Sequence, residues 1–210
     1  MMRSEPLYVY VLLTDTGTLF TKMIKLYTGA SMNHASIALD ADLKDVYSFG
    51  RKDPRNPLIG GFVREDLSHP MFAQADCAVY RAPVSREVYE RMRRCIRGIE
   101  DNQHLYTYNL LGLLGVVMDY PIGRDKAYFC TQFVATVFEQ SGLPLTSKPA
   151  ALVTPTDLEQ SSRLELVYRG SLSCMRNESL RKRQAQAPKQ IRRKMAENNK
   201  EALIATLNAG

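Results

Sequence analysis

The chain has 210 residues, 45% of them hydrophobic and 24% charged, enough apolar material for a sizeable core and too little charge for global disorder. The formal net charge of +6 sits entirely at the end: residues 176–210 carry nine Lys/Arg against three Glu, while residues 1–175 hold 19 of each sign. Four widely spaced cysteines with no CxxC pair suggest neither zinc nor a disulfide framework, and no apolar run approaches the roughly 18 residues of a membrane span.

In chain order, Leu7-Tyr8-Val9-Tyr10-Val11-Leu12-Leu13 reads as a buried strand ended by Asp15. It is too short, and lacks the preceding basic stretch, for a signal peptide, so the cytoplasm is the expected location. Leu19, Phe20, Met23, Ile24 and Tyr27 repeat at helical spacing up to Gly29. A second strand covers 33–39, turns through 40–42 and returns as a hairpin over 46–50. A proline-rich, charged loop is expected at 51–57, ahead of an apolar segment over 59–64. Residues 76–82 form another strand closed by Pro83, and a helix follows from an N-cap at Ser85. The stretch 106–118 is apolar with two internal glycines and reads equally as helix or buried loop; Asn109 beside it is a cleft residue or a helix-cap amide. An amphipathic helix then runs over 128–142 to Gly142-Leu143-Pro144, a loop at 154–160 carries one helical turn, and 164–170 is a last strand. This order predicts an α+β fold.

Two residues carry the chemistry. Cys130 stands at the head of the amphipathic helix, where the dipole and free N–H groups favour a thiolate. It lies on the inward stripe with Val134, Val137 and Phe138, which suits a nucleophile under a cleft and equally a plain buried cysteine. His34 lies in the second strand, where alternation puts it with Ser36 and Ala38 on the face opposite Asn33, Ala35, Ile37 and Leu39. A thiol and an imidazole brought together make a nucleophile and base, but spacing alone does not bring them together. Gly60-Gly61 lacks the context of a phosphate-binding loop.

Three stretches, Asn33-His34-Ala35-Ser36-Ile37-Ala38-Leu39, Phe129-Cys130-Thr131-Gln132-Phe133-Val134-Ala135 and Thr154-Pro155-Thr156-Asp157-Leu158, resemble in content and order the permuted papain-like cysteine hydrolases of the NlpC/P60 superfamily, in particular the YiiX-like group. The resemblance spans roughly residues 7–170. It implies a small antiparallel sheet packed against helices, with Cys130 as nucleophile and His34 as base, and neither metal nor other cofactor. It also implies a polar third member, commonly Glu, on the strand after the histidine strand. Counting across the hairpin gives Ser48 as the nearest polar match and Tyr47 as the next; Glu65 substitutes if its segment folds back. Relatives draw a second oxyanion donor from the first strand or its loop, where Tyr8, Tyr10 and Thr14 are candidates. The implied activity is hydrolysis or acyl transfer at an amide, isopeptide or thioester bond of a peptide, peptide-conjugate or acyl substrate.

The expected domains are a hydrolase domain over 1–175 and a basic, helical extension over 176–210. The extension's clusters Leu180-Arg181-Lys182-Arg183 and Lys189-Gln190-Ile191-Arg192-Arg193-Lys194 suit a solvated helix, an anionic membrane surface, a nucleic acid or an acidic protein. The competing reading is a catalytically weak binding module of the same fold, anchored through this extension.

Overall fold

The computed structural model describes residues 6–15, 31–53, 56–122 and 125–178. The helix expected over 19–27, and all but the first three residues of the basic extension, lie outside the described residues. The chain divides into two compact units, Met1–Leu172 and Ser173–Gly210.

The first unit is α+β. Its strands are β1 (Leu7–Asp15), β2 (His34–Ala38), β3 (Val46–Asp53), β4 (Asn56–Glu65), β5 (Asp76–Val84) and β8 (Glu165–Ser171), and they form one antiparallel sheet in the order β4-β3-β2-β1-β5-β8. Two short strands, β6 (Thr107–Tyr108) and β7 (Ala127–Tyr128), pair in parallel beside it. The helices are α1 (Arg86–Asp101), α2 (Leu110–Val117), α3 (Cys130–Gln140) and the single turn α4 (Pro155–Glu159).

Most expected elements form with shifted ends. Ser85 caps α1 as anticipated, its Oγ accepting the Val88 N–H at 3.2 Å. The segment around 106–118 resolves into β6 followed by α2, and Asn109 is the cap: its Oδ1 accepts the Gly112 N–H at 2.9 Å. A Cβ on Gly112 would strike that same carboxamide, so the glycine is required by the cap.

Two boundaries are corrections. The loop expected at 51–57 is largely strand, with Asp53 paired to Asn56 after a register shift; ladder pairing outweighs the weak strand preference of Lys and Asp. Nor does Pro83 close β5, which runs on to Val84. Pairing between β5 and β8 ends at Arg81–Glu165, so at Pro83 one side of β5 is an edge, the kind of place where a strand tolerates proline.

The main core lies on one face of the sheet. Val9, Val11, Leu13, Ala35 and Ile37 meet Met92, Ile96 and Ile99 of α1 and Phe133, Val134, Val137 and Phe138 of α3. The opposite face is also buried along its middle, at Leu12, Ala38, Val46 and Cys77. Helix α3 is therefore more enclosed than its amphipathic pattern suggests: every residue from Cys130 to Ala135 is buried.

An aromatic cluster ties α3 and its lead-in strand to the hairpin of β3 and β4. The Phe49 ring lies 5.2 Å from both Tyr128 and Phe133, and Phe62 lies 5.9 Å from Phe133. Phe133→Ala should therefore cost about 3–5 kcal/mol of stability, read by urea unfolding of the variant against the parent.

Candidate active site

Cys130 is the first residue of α3, and three side-chain contacts fix that first turn. Gln132 Oε1 accepts the Phe129 N–H at 3.4 Å, satisfying a backbone donor just ahead of the helix. Asn109 Nδ2 donates to the same oxygen at 3.3 Å and to the Ile122 carbonyl at 3.1 Å. Thr131 Oγ1 donates to the Val153 carbonyl at 2.5 Å. Val153 leads into the turn where Thr154 and Asp157 cap α4 reciprocally, so the third stretch singled out in the sequence buttresses the first turn of α3.

His34 is the first residue of β2, opposite Thr14 of β1. On its other side the ladder opens: β2 and β3 pair only through Ile37–Tyr47 and Ala38–Val46, although β3 runs on to Asp53. Side chains fill the gap. His34 Nε2 meets Glu65 Oε1 at 2.6 Å. Ser48 Oγ donates to the same oxygen at 2.6 Å, and Ser36 Oγ donates to Oε2 at 2.7 Å. The His34 and Glu65 side chains are only 16% and 7% exposed, so bulk water does little to solvate the pair.

With Nε2 committed to Glu65, Nδ1 is the ring nitrogen left for Cys130, and thiol and imidazole lie close enough that each moves the other's titration. The backbone N–H groups of Ala35 and Thr131 also point to the sulfur. The Ala35 donor lies in the stretch where the β2–β3 ladder is missing.

The electrostatics follow from these contacts. Burial alone would push the Cys130 thiol up, but the His34 hydrogen bond and charge, with the two N–H donors, bring it below the ordinary thiol value. Burial alone would lower His34; the Glu65 charge and the hydrogen bonds to Cys130 and Glu65 instead raise it to about 10. Burial opposes ionisation of Glu65 too, yet the imidazolium and the two serine hydroxyls hold it below the usual carboxylate range. The arrangement favours a thiolate–imidazolium pair backed by a carboxylate. By contrast, burial pushes Cys77 up to about 12 and Cys95 upward.

Among the residues expected at the site, Cys130 and His34 are together, and Glu65 rather than Ser48 takes the imidazole. The assignment of Ser48 as the direct partner of His34 is thus corrected. The register of β2 on β3 sets Gly50, not Ser48, level with His34, and Glu65 brings its carboxylate to the ring instead. Ser48 instead supports Glu65, and so does Ser36, which the sequence reading gave no role; its place on the His34 face was the signal available.

Thr14 is fully buried opposite His34, and its Oγ1 has no hydrogen-bond partner. The other two oxyanion candidates lie elsewhere. Tyr10 pairs with Ala38 at the far end of β2, and the Tyr8 ring lies under the Arg81 guanidinium at 4.7 Å. Among the described residues no three His, Cys, Asp or Glu side chains converge as metal ligands.

Iodoacetamide should label Cys130 well before Cys77 or Cys95 at neutral pH, as read by peptide mass spectrometry. The sign follows from both partners: the thiolate forms below the usual thiol range, and the imidazolium persists until the pH passes about 10. Glu65→Gln removes the charge that outweighs His34 burial, so labelling at neutral pH should fall at least tenfold and its midpoint move to higher pH, as burial of the thiol then dominates.

No protein-family model matches the chain, and no curated protein matches it.

Proposed function

We propose that this chain is a cysteine-dependent hydrolase or acyltransferase, acting on an amide, isopeptide or thioester bond through a Cys130 acyl-enzyme. The observation that carries the reading is the imidazole of His34 held from one nitrogen by the buried Glu65 carboxylate at 2.6 Å, with its charge acting on the Cys130 thiol at a helix N-terminus. The finer fold assignment, a permuted papain-like domain of the NlpC/P60 type, rests on the three sequence stretches and belongs to the same proposal, as does a cytoplasmic location.

In this scheme the Cys130 thiolate attacks the substrate carbonyl carbon, and the electron pair moves onto the oxygen. The Cys130 N–H at the helix terminus stabilises that oxyanion. Thr14 is the remaining side-chain candidate for a second donor, since Tyr8 and Tyr10 are engaged away from His34. Collapse of the tetrahedral species breaks the bond to the leaving group, which takes the proton from His34 Nδ1 and leaves a thioester on Cys130. Water or an acceptor nucleophile then gives its proton back to Nδ1 as it attacks the thioester, releasing the acyl product and restoring the thiolate–imidazolium pair. Glu65 stays ionised throughout, holding the ring and its charge.

The rival reading, a catalytically weak binding module, drew its main support from the apparent lack of a carboxylate beside His34. Glu65 at 2.6 Å from Nε2 removes that support.

The deciding experiment offers the full chain a panel of matched peptide, isopeptide and acyl-thioester substrates. One class should be turned over with an acyl-enzyme trapped on Cys130, while Cys130→Ala and His34→Ala should each lower the rate at least a thousandfold. An unreactive panel together with no covalent adduct would sink the enzyme reading.

The basic extension is proposed as a separate docking element for an anionic membrane surface, a nucleic acid or an acidic protein. Deleting residues 176–210 removes all six units of net charge. Iodoacetamide labelling of Cys130 should survive the deletion, whereas salt-sensitive binding to anionic vesicles or nucleic acid should be lost, as measured by co-sedimentation over a salt series.

A further inference from the structure

We propose that Ser36 and Ser48 are positioning residues of the Cys130 site: by donating to the Glu65 carboxylate they keep it ionised, and so keep the proton on His34. This rests on the reading of Cys130 and His34 as nucleophile and base.

Both serines are fully buried in interior strands of the sheet, where a side chain of nearly the same volume without a hydroxyl would pack as well. Each directs its Oγ to Glu65: Ser48 shares Oε1 with His34 Nε2, and Ser36 takes Oε2. The carboxylate thus receives three donors, only one of which carries a titratable proton. The charged groups acting on it are His34 from β2 and, behind His34, Cys130 from the head of α3.

That division matters because the proton between His34 and Glu65 has two places to rest. On the imidazole it leaves a carboxylate and an imidazolium; on the carboxylate it leaves two neutral groups, which burial favours. A hydroxyl that donates to the carboxylate strengthens only the ionised arrangement. Losing these donors shifts that balance toward Glu65 and weakens the hold on the imidazolium proton. Cys130 then loses part of the positive charge that stabilises its thiolate. The serines therefore act on the nucleophile across two intervening side chains.

The test uses the full-length chain and measures the iodoacetamide alkylation rate of Cys130 from about pH 5 to pH 10. Ser36→Ala, Ser48→Ala and their combination are each made in the parent and in Glu65→Gln. In the parent, each single change should slow alkylation at neutral pH roughly tenfold and move the profile to higher pH. In Glu65→Gln the same changes should have no further effect, because the charge they serve is gone. Thermal melts establish that the variants fold, and if the double variant does not, the two single ones decide.

Unchanged profiles in both single variants overturn the proposal, as does a downward shift. Equal slowing in the parent and in Glu65→Gln overturns it as well, since that marks a packing effect. His34→Ala separates the two levels: if it leaves the Cys130 profile unchanged, the nucleophile–base reading falls and takes this inference with it. If it slows alkylation while the serine variants do not, only the role of the serines falls.

Discussion

The site depends on keeping one carboxylate ionised where burial works against it. Glu65 ends β4, and its side chain turns into the opening between β2 and β3, nearly cut off from solvent. Leaving such a group without partners would cost several kcal/mol and end in its protonation. Here it is surrounded by side-chain donors from β2 and β3, beside the stretch where the ladder between those strands stops after two residue pairs. Where backbone pairing ceases, Ser36, Ser48 and His34 turn their polar atoms to Glu65, and the Ala35 N–H turns to Cys130.

The nucleophile is held from the other side by contacts with no charge of their own. Asn109 caps α2 with its oxygen and steadies Gln132 with its nitrogen, and Gln132 occupies the N–H just ahead of Cys130. Thr131 ties the next residue to Val153. The rings of Phe49, Tyr106, Tyr128 and Phe133 then lock the lead-in strand to the same hairpin that carries Ser48 and Glu65. Cys130 and Glu65 belong to elements far apart in the chain, yet the aromatic cluster makes their spacing a property of the core rather than of a loop. That rigidity is what a hydrogen bond from Cys130 through His34 to Glu65 requires.

Local signals were sufficient for elements that local chemistry determines. The Ser85 cap, the Gly142 stop of α3 and the reciprocal capping of Thr154 and Asp157 all have short-range causes, and the alternation around His34 placed Ser36 on the histidine's face. What failed were boundaries set by a neighbour. Residues 51–53 are strand because β4 pairs with them, and Pro83 is tolerated because β8 has already parted from β5. The partner of His34 was hidden for the same reason. Ser48 was only the nearest polar residue on the returning strand; the register that forms sets Gly50 level with His34, and nothing local announces that the end of the following strand supplies the carboxylate. Glu65 was visible only as an acid whose position depended on how β4 returned. The separation of Tyr8 and Tyr10 from His34 was equally hidden, because it depends on the register of β1 against β2.

Hydroxyls are also the right kind of support for this carboxylate. A lysine or arginine beside Glu65 would secure its ionisation more strongly, but would cancel its field at the imidazole. His34, with burial then dominant, would lose its proton, and Cys130 would revert toward an ordinary buried thiol. Neutral donors avoid that competition, because they stabilise the negative charge locally and leave most of it to act on His34. The sequence of charges from sulfur to ring to carboxylate therefore alternates without a compensating cation at its end. Two serines, Ser36 beside His34 on β2 and Ser48 on β3, suit that place because both donate to the carboxylate and leave the imidazole to it.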